Sequence, residues 1–128
     1  MITPFDILSE AKTLLDLPPE TRTEARRRTI IGRCYYAAYK HLHSHDVAKG
    51  YRHSPGQNTG SHRSFLNHLK ESDQPDVVKA IKVLEFLLSY RVQADYFLDI
   101  EIIDSLATDC WKRANFLMTR TLPATSSA

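Results

Sequence analysis

A chain of 128 residues, 42% hydrophobic and 25% charged, is long enough for one domain with a real core and too short for two. That composition is ordinary for a globular protein and excludes a disordered or membrane-embedded chain. No stretch approaches the ~18 apolar residues of a membrane span. The start, Met1-Ile-Thr-Pro-Phe-Asp6, lacks the basic and apolar regions of a signal peptide, so a cytoplasmic protein without membrane contact is expected.

The net charge of +2 conceals a segregation. Residues 21–70 carry ten basic groups against Glu24 and Asp46, whereas the segments on either side are each acidic, and all six histidines fall in the basic block. Such a block suits a polyanion such as RNA or an acidic protein surface, or else forms a solvated helix face. Cys34 and Cys110 fall on apolar helix faces and read as reduced, buried side chains.

In chain order, a first helix is predicted over about Pro4 to Asp16. Thr3 caps it, Pro4 takes the first helical position, and Ile7, Leu8, Ala11, Leu14 and Leu15 form one stripe. Leu17-Pro-Pro-Glu20 ends it, since proline blocks propagation. A second helix opens at Thr21-Arg-Thr-Glu24, a capping-box spacing, and runs to about Ser44 with Ile31, Cys34, Tyr35, Ala38 and Leu42 inward. Arg22, Arg26 and Arg33 lie largely elsewhere on its surface.

Residues 45–61, with Gly50, Pro55, Gly56, Asn58 and Gly60, read as a long loop. A short helix over about Ser61 to Glu71 offers Phe65, Leu66 and Leu69. The next starts after Asp73-Gln-Pro75, carries Val77, Val78, Ile81, Leu84, Leu87 and Leu88, and loses its pattern after Arg91. The last, about Asp99 to Arg120, buries Ile103, Leu106, Ala107, Cys110, Ala114 and Leu117, and residues 121–128 form a fraying tail. Four to five helices with mostly short links predict an all-α antiparallel bundle in a single domain over residues 1–120.

Several groups invite a chemical reading. Arg33, Tyr36 and Lys40 are neighbours at three-and-four spacing. Arg91 and Asp95 are four apart: they form an ion pair that fixes a helix end, or Arg91 presents its five donors to a phosphate. Arg63 and His68 are separated by four residues, but five helical steps turn about 140°, so one regular helix does not converge them. His41 and His45 have the i, i+4 spacing of a helical zinc pair, yet no cysteine or HExxH pattern accompanies them. Solvated histidines at a helix end are the simpler reading. No metal and no cofactor motif is expected.

Arg33-Cys-Tyr-Tyr-Ala-Ala-Tyr39 resembles the Arg-x-Tyr-Tyr-Ala helix of HEPN-domain proteins. Gly60-Ser-His62 followed by Phe65 is similar to their Ser-His segment, Arg91-Val-Gln-Ala-Asp-Tyr96 to their Arg-x-x-Ala-Asp-Tyr segment, and Ala114-Asn-Phe-Leu117 to their closing helix. The resemblance spans roughly residues 25–118. It implies a HEPN-like bundle, a homodimer, and an RNA-directed function: a toxin-like or phage-defence RNase, or a relative that binds RNA or nucleotide without cutting. It implies, alternatively, a non-catalytic dimerisation module that docks a nucleotidyltransferase-like partner.

HEPN enzymes, as the resemblance implies, are metal-independent endoribonucleases with an Arg, four to six residues, then His. Here Ala94-Asp95-Tyr96 stands where that His is expected. Candidate catalytic residues are therefore Arg91, Asp95, Arg63 and His68, and candidate binding residues are Arg33, Tyr36, Lys40, His62 and Tyr96.

Overall fold

The computed structural model describes residues 1–52 and 60–124, and among them the chain is all-α. Its helices are α1 (Pro4–Leu15), α2 (Glu24–Ser44), α3 (Ser61–Leu69), α4 (Pro75–Tyr96) and α5 (Asp104–Phe116). They form a helical bundle centred on α2, which packs against α1, α4 and α5.

The central position of α2 is written in its burial pattern. Ile30 and Ile31, Cys34 and Tyr35, Ala37 and Ala38, and His41 and Leu42 are all buried. Consecutive residues diverge by about 100° around a helix, so adjacent buried pairs mean that α2 faces neighbours over a wide sector. A periodic stripe predicts one buried face; the stack of helices around α2 covers more. The thiols of Cys34 and Cys110 are both buried and free, and burial pushes Cys110 up to about 12.

Local signals set the ends. Thr3 caps α1 in a full capping box: its hydroxyl accepts from Asp6 N–H at 3.2 Å, and Asp6 accepts from Thr3 N–H at 2.7 Å. The cap of α2 is Thr23, whose hydroxyl accepts from Arg26 N–H at 3.3 Å, not the expected Thr21. Pro18 and Pro19 draw Thr21 into a preceding 3₁₀ turn (Pro19–Thr21), where its hydroxyl donates to Pro18 O. Glu24 is thereby freed to pair with Arg28 and to accept Ile102 N–H at 3.2 Å.

Three further expectations are corrected. First, α4 does not break after Arg91; it continues to Tyr96, because the buried stripe Leu84, Leu87 resumes at Ala94, with Arg91 standing in an otherwise apolar row. On the same helix Val78 is exposed. Second, α5 starts at Asp104, so Ile103 is an exposed cap residue and Ile102 fills the core in its place. Third, the chain does not fray at residue 121: a π-helical turn (Leu117–Thr121) buries Leu117, Met118 and Thr121, and Leu122 is buried beyond it. Of the long loop, Asp46–Ala48 forms a 3₁₀ turn, while residues 53–59, with His53, lie outside the described residues, as do 125–128 of the tail. Among the described residues no helix is long and apolar enough to cross a membrane.

Candidate phosphate-binding cleft

The arginines near the start of α2 bond to helix ends and turns, Arg22, Arg27 and Arg28 from half-buried positions and Arg26 from an exposed one. Arg22 makes a two-pronged pair with Asp104, at 2.8 and 2.7 Å, and donates to Leu15 O and Leu17 O at the end of α1. This joins the end of α1 to the start of α5, and the partner guanidinium holds the Asp104 carboxyl below its usual range. Arg26 donates to Thr21 O at 2.6 Å, and Arg27 to Ile102 O at 2.7 Å and Arg22 O at 2.9 Å. Arg28 caps α4: its Nη1 donates to Gln93 O (3.1 Å), Ala94 O (2.9 Å) and Phe97 O (3.3 Å), and its Nη2 to Ile100 O and Glu24. A cation on the last carbonyls of a helix satisfies orphan acceptors and complements the helix dipole. Much of the basic block's charge is thus committed within the fold.

Arg28 also borders a cleft of about 400 Å³ between α2, the start of α3 and the end of α4, lined with it by Thr29, Gly32, Arg33, Tyr35, Tyr36, His62, Arg91 and Asp95. Arg33 is exposed and has no hydrogen bond or ion pair among the described residues. Arg91 Nε donates to Asp95 Oδ2 at 2.9 Å along α4, and the Arg91 guanidinium lies 6.0 Å from the Tyr35 ring centre and 5.6 Å from that of Tyr96. Gly32 lies on the opposite wall, where an added methyl would stand 3.9 Å from Asp95 Oδ1. Lys40 lies over the exposed Tyr36 ring, 5.4 Å from its centre.

His62 enters from the first turn of α3, held by an aromatic column. Its ring packs tilted against Tyr39 and Tyr35, 4.6 and 5.4 Å between ring centres, and Phe65, one turn on, meets Tyr39 at 5.4 Å and Tyr51 at 5.1 Å. The Tyr35 hydroxyl hydrogen-bonds His62 Nδ1. Burial pushes the Tyr35 phenol well above its usual range, so it keeps its proton and donates it to Nδ1. That leaves the neutral imidazole with its hydrogen on Nε2, a donor. Burial first, then Arg91 and Lys40, hold His62 below its usual pKa and favour this neutral form.

The fold therefore brings Arg33, Tyr36, His62, Arg91 and Asp95 together around one cleft, with Lys40 and Tyr96 beside it. It does not bring Arg63 and His68 there. Arg63 is exposed and lines neither this cleft nor the one that His68 borders with His45 and Asp46. His68 instead meets the Tyr51 ring at 5.5 Å and Glu71 at 3.9 Å. Five helical steps separate the two side chains as the repeat requires.

His41 is buried rather than solvated and His45 is half-buried, and no metal-holding cluster occurs among the described residues. His41 is 5% exposed, and its Nε2 donates to Leu122 O at 2.5 Å. His45 Nε2 donates to Pro123 O at 3.1 Å, while its Nδ1 accepts Val47 N–H at 3.2 Å. These two histidines fasten the C-terminal segment to the end of α2.

The residues that sequence reasoning missed are Tyr35 and Arg28. Three consecutive arginines in the first turns of α2, where the helix dipole disfavours cations, were the available signal that those guanidiniums belong to other helix ends. No family model matches the chain, and neither a curated protein nor a solved structure matches it.

Proposed function

We propose that this chain is an RNA-directed protein of the HEPN type, toxin-like or defence-associated, and that the cleft between α2, α3 and α4 grips a phosphodiester of the RNA. The observation that carries the reading is the approach of His62 to Arg91. The sequence lacks a His shortly after Arg91, but α3 delivers one from elsewhere, into the same cleft as Arg91 and the unpaired Arg33. A guanidinium fork, a second cation and a neutral N–H donor converge on one concavity, which is the donor set an anionic phosphate needs.

The same groups differ in what they offer to chemistry. Strand scission at a ribose 2′-hydroxyl needs an acceptor for its proton and a donor for the leaving oxygen. Asp95 Oδ2 is engaged by Arg91, leaving Oδ1 as the acceptor that faces the cleft wall. His62, fixed by Tyr35, supplies a donor and no free lone pair. The arrangement is complete for binding phosphate, whereas cleavage would rest on Asp95 alone as base. Purified protein is expected to bind a fluorescein-labelled single-stranded RNA in a salt-dependent way and to lose that binding in Arg91→Ala. Intact RNA together with no salt-dependent affinity would sink the proposal.

A second reading, a helical module that dimerises and docks a nucleotidyltransferase-like protein, is favoured by one observation. The segment after α4 exposes Phe97, Leu98, Ile100 and Ile103, a run of apolar side chains that its own core leaves uncovered. Under this reading the protein sediments as a dimer at micromolar concentration and Leu98→Asp makes it a monomer. A wild-type monomer at that concentration removes it.

A further inference from the structure

The cleft is flanked by two tyrosines that the core does not use. Tyr35 and Tyr39 are buried in the α2 face, but Tyr36, on the same helix, is 42% exposed, and Tyr96, at the end of α4, is 65% exposed. Each lies next to a cation: Lys40 is 5.4 Å from the Tyr36 ring centre, and Arg91 is 5.6 Å from that of Tyr96. Neither phenol has a hydrogen-bond partner among the described residues, so packing explains neither ring. Tyr36 lines the cleft itself, and Arg91 bridges from the cleft to Tyr96.

We propose that Tyr36 and Tyr96 are base-stacking platforms, so that this site takes single-stranded RNA and discriminates against a duplex. The inference rests on the phosphate reading of the cleft and adds the form of the nucleic acid. A cation on one side of an exposed ring and open solvent on another suits a nucleotide, which carries a flat base and a phosphate within one repeat. Arg91 and Lys40 then neutralise phosphates while the neighbouring rings accept bases. In an A-form duplex the bases are stacked on one another inside the helix and present only edges and backbone, so these rings have nothing to stack on. A helix also presents its backbone as a convex ridge, whereas the phosphate donors here sit inside a concavity.

The test uses the full chain and three probes: a single-stranded oligoadenylate 12-mer, the same 12-mer annealed to its complement, and inorganic polyphosphate, which has the charge but no bases. Fluorescence anisotropy, direct for the labelled RNAs and by competition for polyphosphate, gives the affinities. Single strand is expected to bind at least tenfold more tightly than duplex. Tyr96→Ala and Tyr36→Ala are each expected to weaken single-strand binding roughly 5- to 150-fold, the range that base–aromatic stacking spans, and to weaken polyphosphate binding by a smaller factor.

Tyr96→Phe and Tyr36→Phe keep the ring and are expected to bind as wild type. Both positions are exposed, and circular dichroism checks that the variants stay helical. Equal affinity for duplex and single strand, or alanine variants that bind RNA as wild type while Arg91→Ala does not, overturns the stacking proposal and leaves the phosphate site standing. A wild-type protein that binds neither RNA nor polyphosphate removes the phosphate reading as well. A Tyr96→Ala change that converts a dimer to a monomer without altering RNA affinity assigns that ring to contact with a second copy and overturns its role here.

Discussion

Salt dependence gives the sharpest measure of how many cations this protein presents to RNA. Each phosphate neutralised on a single strand contributes about −0.7 to the slope of log affinity against log salt. Counting the basic block from sequence alone gives ten candidate cations, hence a slope of about −7 and a loss on the order of 10⁴-fold between 50 and 200 mM salt. The structure gives a different count. Arg22 is paired with Asp104, Arg26 and Arg27 are held on backbone carbonyls away from the cleft, and Arg28 is shared between Glu24 and the end of α4. Lys49, Arg52, Arg63 and Lys70 do not line the cleft, which leaves Arg33 and Lys40 of the block there, joined by Arg91 from α4.

Three contacts predict a slope of about −2 and a loss of about 20-fold over the same interval. Fluorescence anisotropy of a labelled single-stranded RNA at pH 7.5, titrated across that salt range, reads the slope directly. Arg91→Ala is expected to reduce its magnitude by about 0.7, and Arg26→Ala to leave it unchanged. A wild-type slope near −7, or equal effects of the two substitutions, refutes the division of the arginines into helix caps and phosphate contacts.

Three other outcomes follow from the same geometry. Burial holds both His41 and His62 below the usual histidine pKa, so the fold binds fewer protons than the unfolded chain there. Their contribution is intact above the ordinary value of about 6.5 and is lost as pH falls through it toward the lowered values. The melting temperature should therefore drop between pH 7.5 and 5.5, and His41→Gln should flatten that drop; a temperature that rises on acidification contradicts this. Tyr35→Phe removes the donor that fixes His62, so nitrogen-15 NMR should find the imidazole mostly Nε2-protonated in wild type and a tautomer mixture in the variant, with a stability loss of about 1–3 kcal/mol. Gly32→Ala should stabilise the protein by about 0.5–1 kcal/mol in urea unfolding, because alanine is the better helix former and its methyl meets Asp95 Oδ1 only at 3.9 Å. A destabilised Gly32→Ala would show that the cleft wall is tighter than this.

The helical class was legible because its signals are local. Thr3, Pro4 and Asp6 define the start of α1 within a few residues, and the apolar spacing along α3 predicts the burial of Phe65, Leu66 and Leu69. Spacing joined Arg33 to Tyr36 and Arg91 to Asp95, yet nothing in the sequence joined these two pairs to each other or to His62. Local reasoning went astray where a distant partner overrides a neighbour. Arg91 interrupts an apolar stripe and reads as a helix end, but Tyr35 and Asp95 accommodate it and α4 continues. His41 and His45 look like a solvated or metal-binding pair until Leu122 and Pro123 return to meet them.

What the sequence determined by itself is the set of helices, their amphipathic faces and the concentration of positive charge in residues 21–70. Periodicity and capping depend on residues three or four apart, and those are encoded side by side in the chain. What only the tertiary structure decided is which of those charges remain available. Arg22 finds its carboxylate 82 residues away and Arg28 its carbonyls 65 or more residues away, and such partners are fixed by how α2 lies among α1, α4 and α5. The cleft is the remainder: Arg33 left unpaired on one wall, Arg91 on the other, and His62 brought to it by the aromatic packing of α3 on α2.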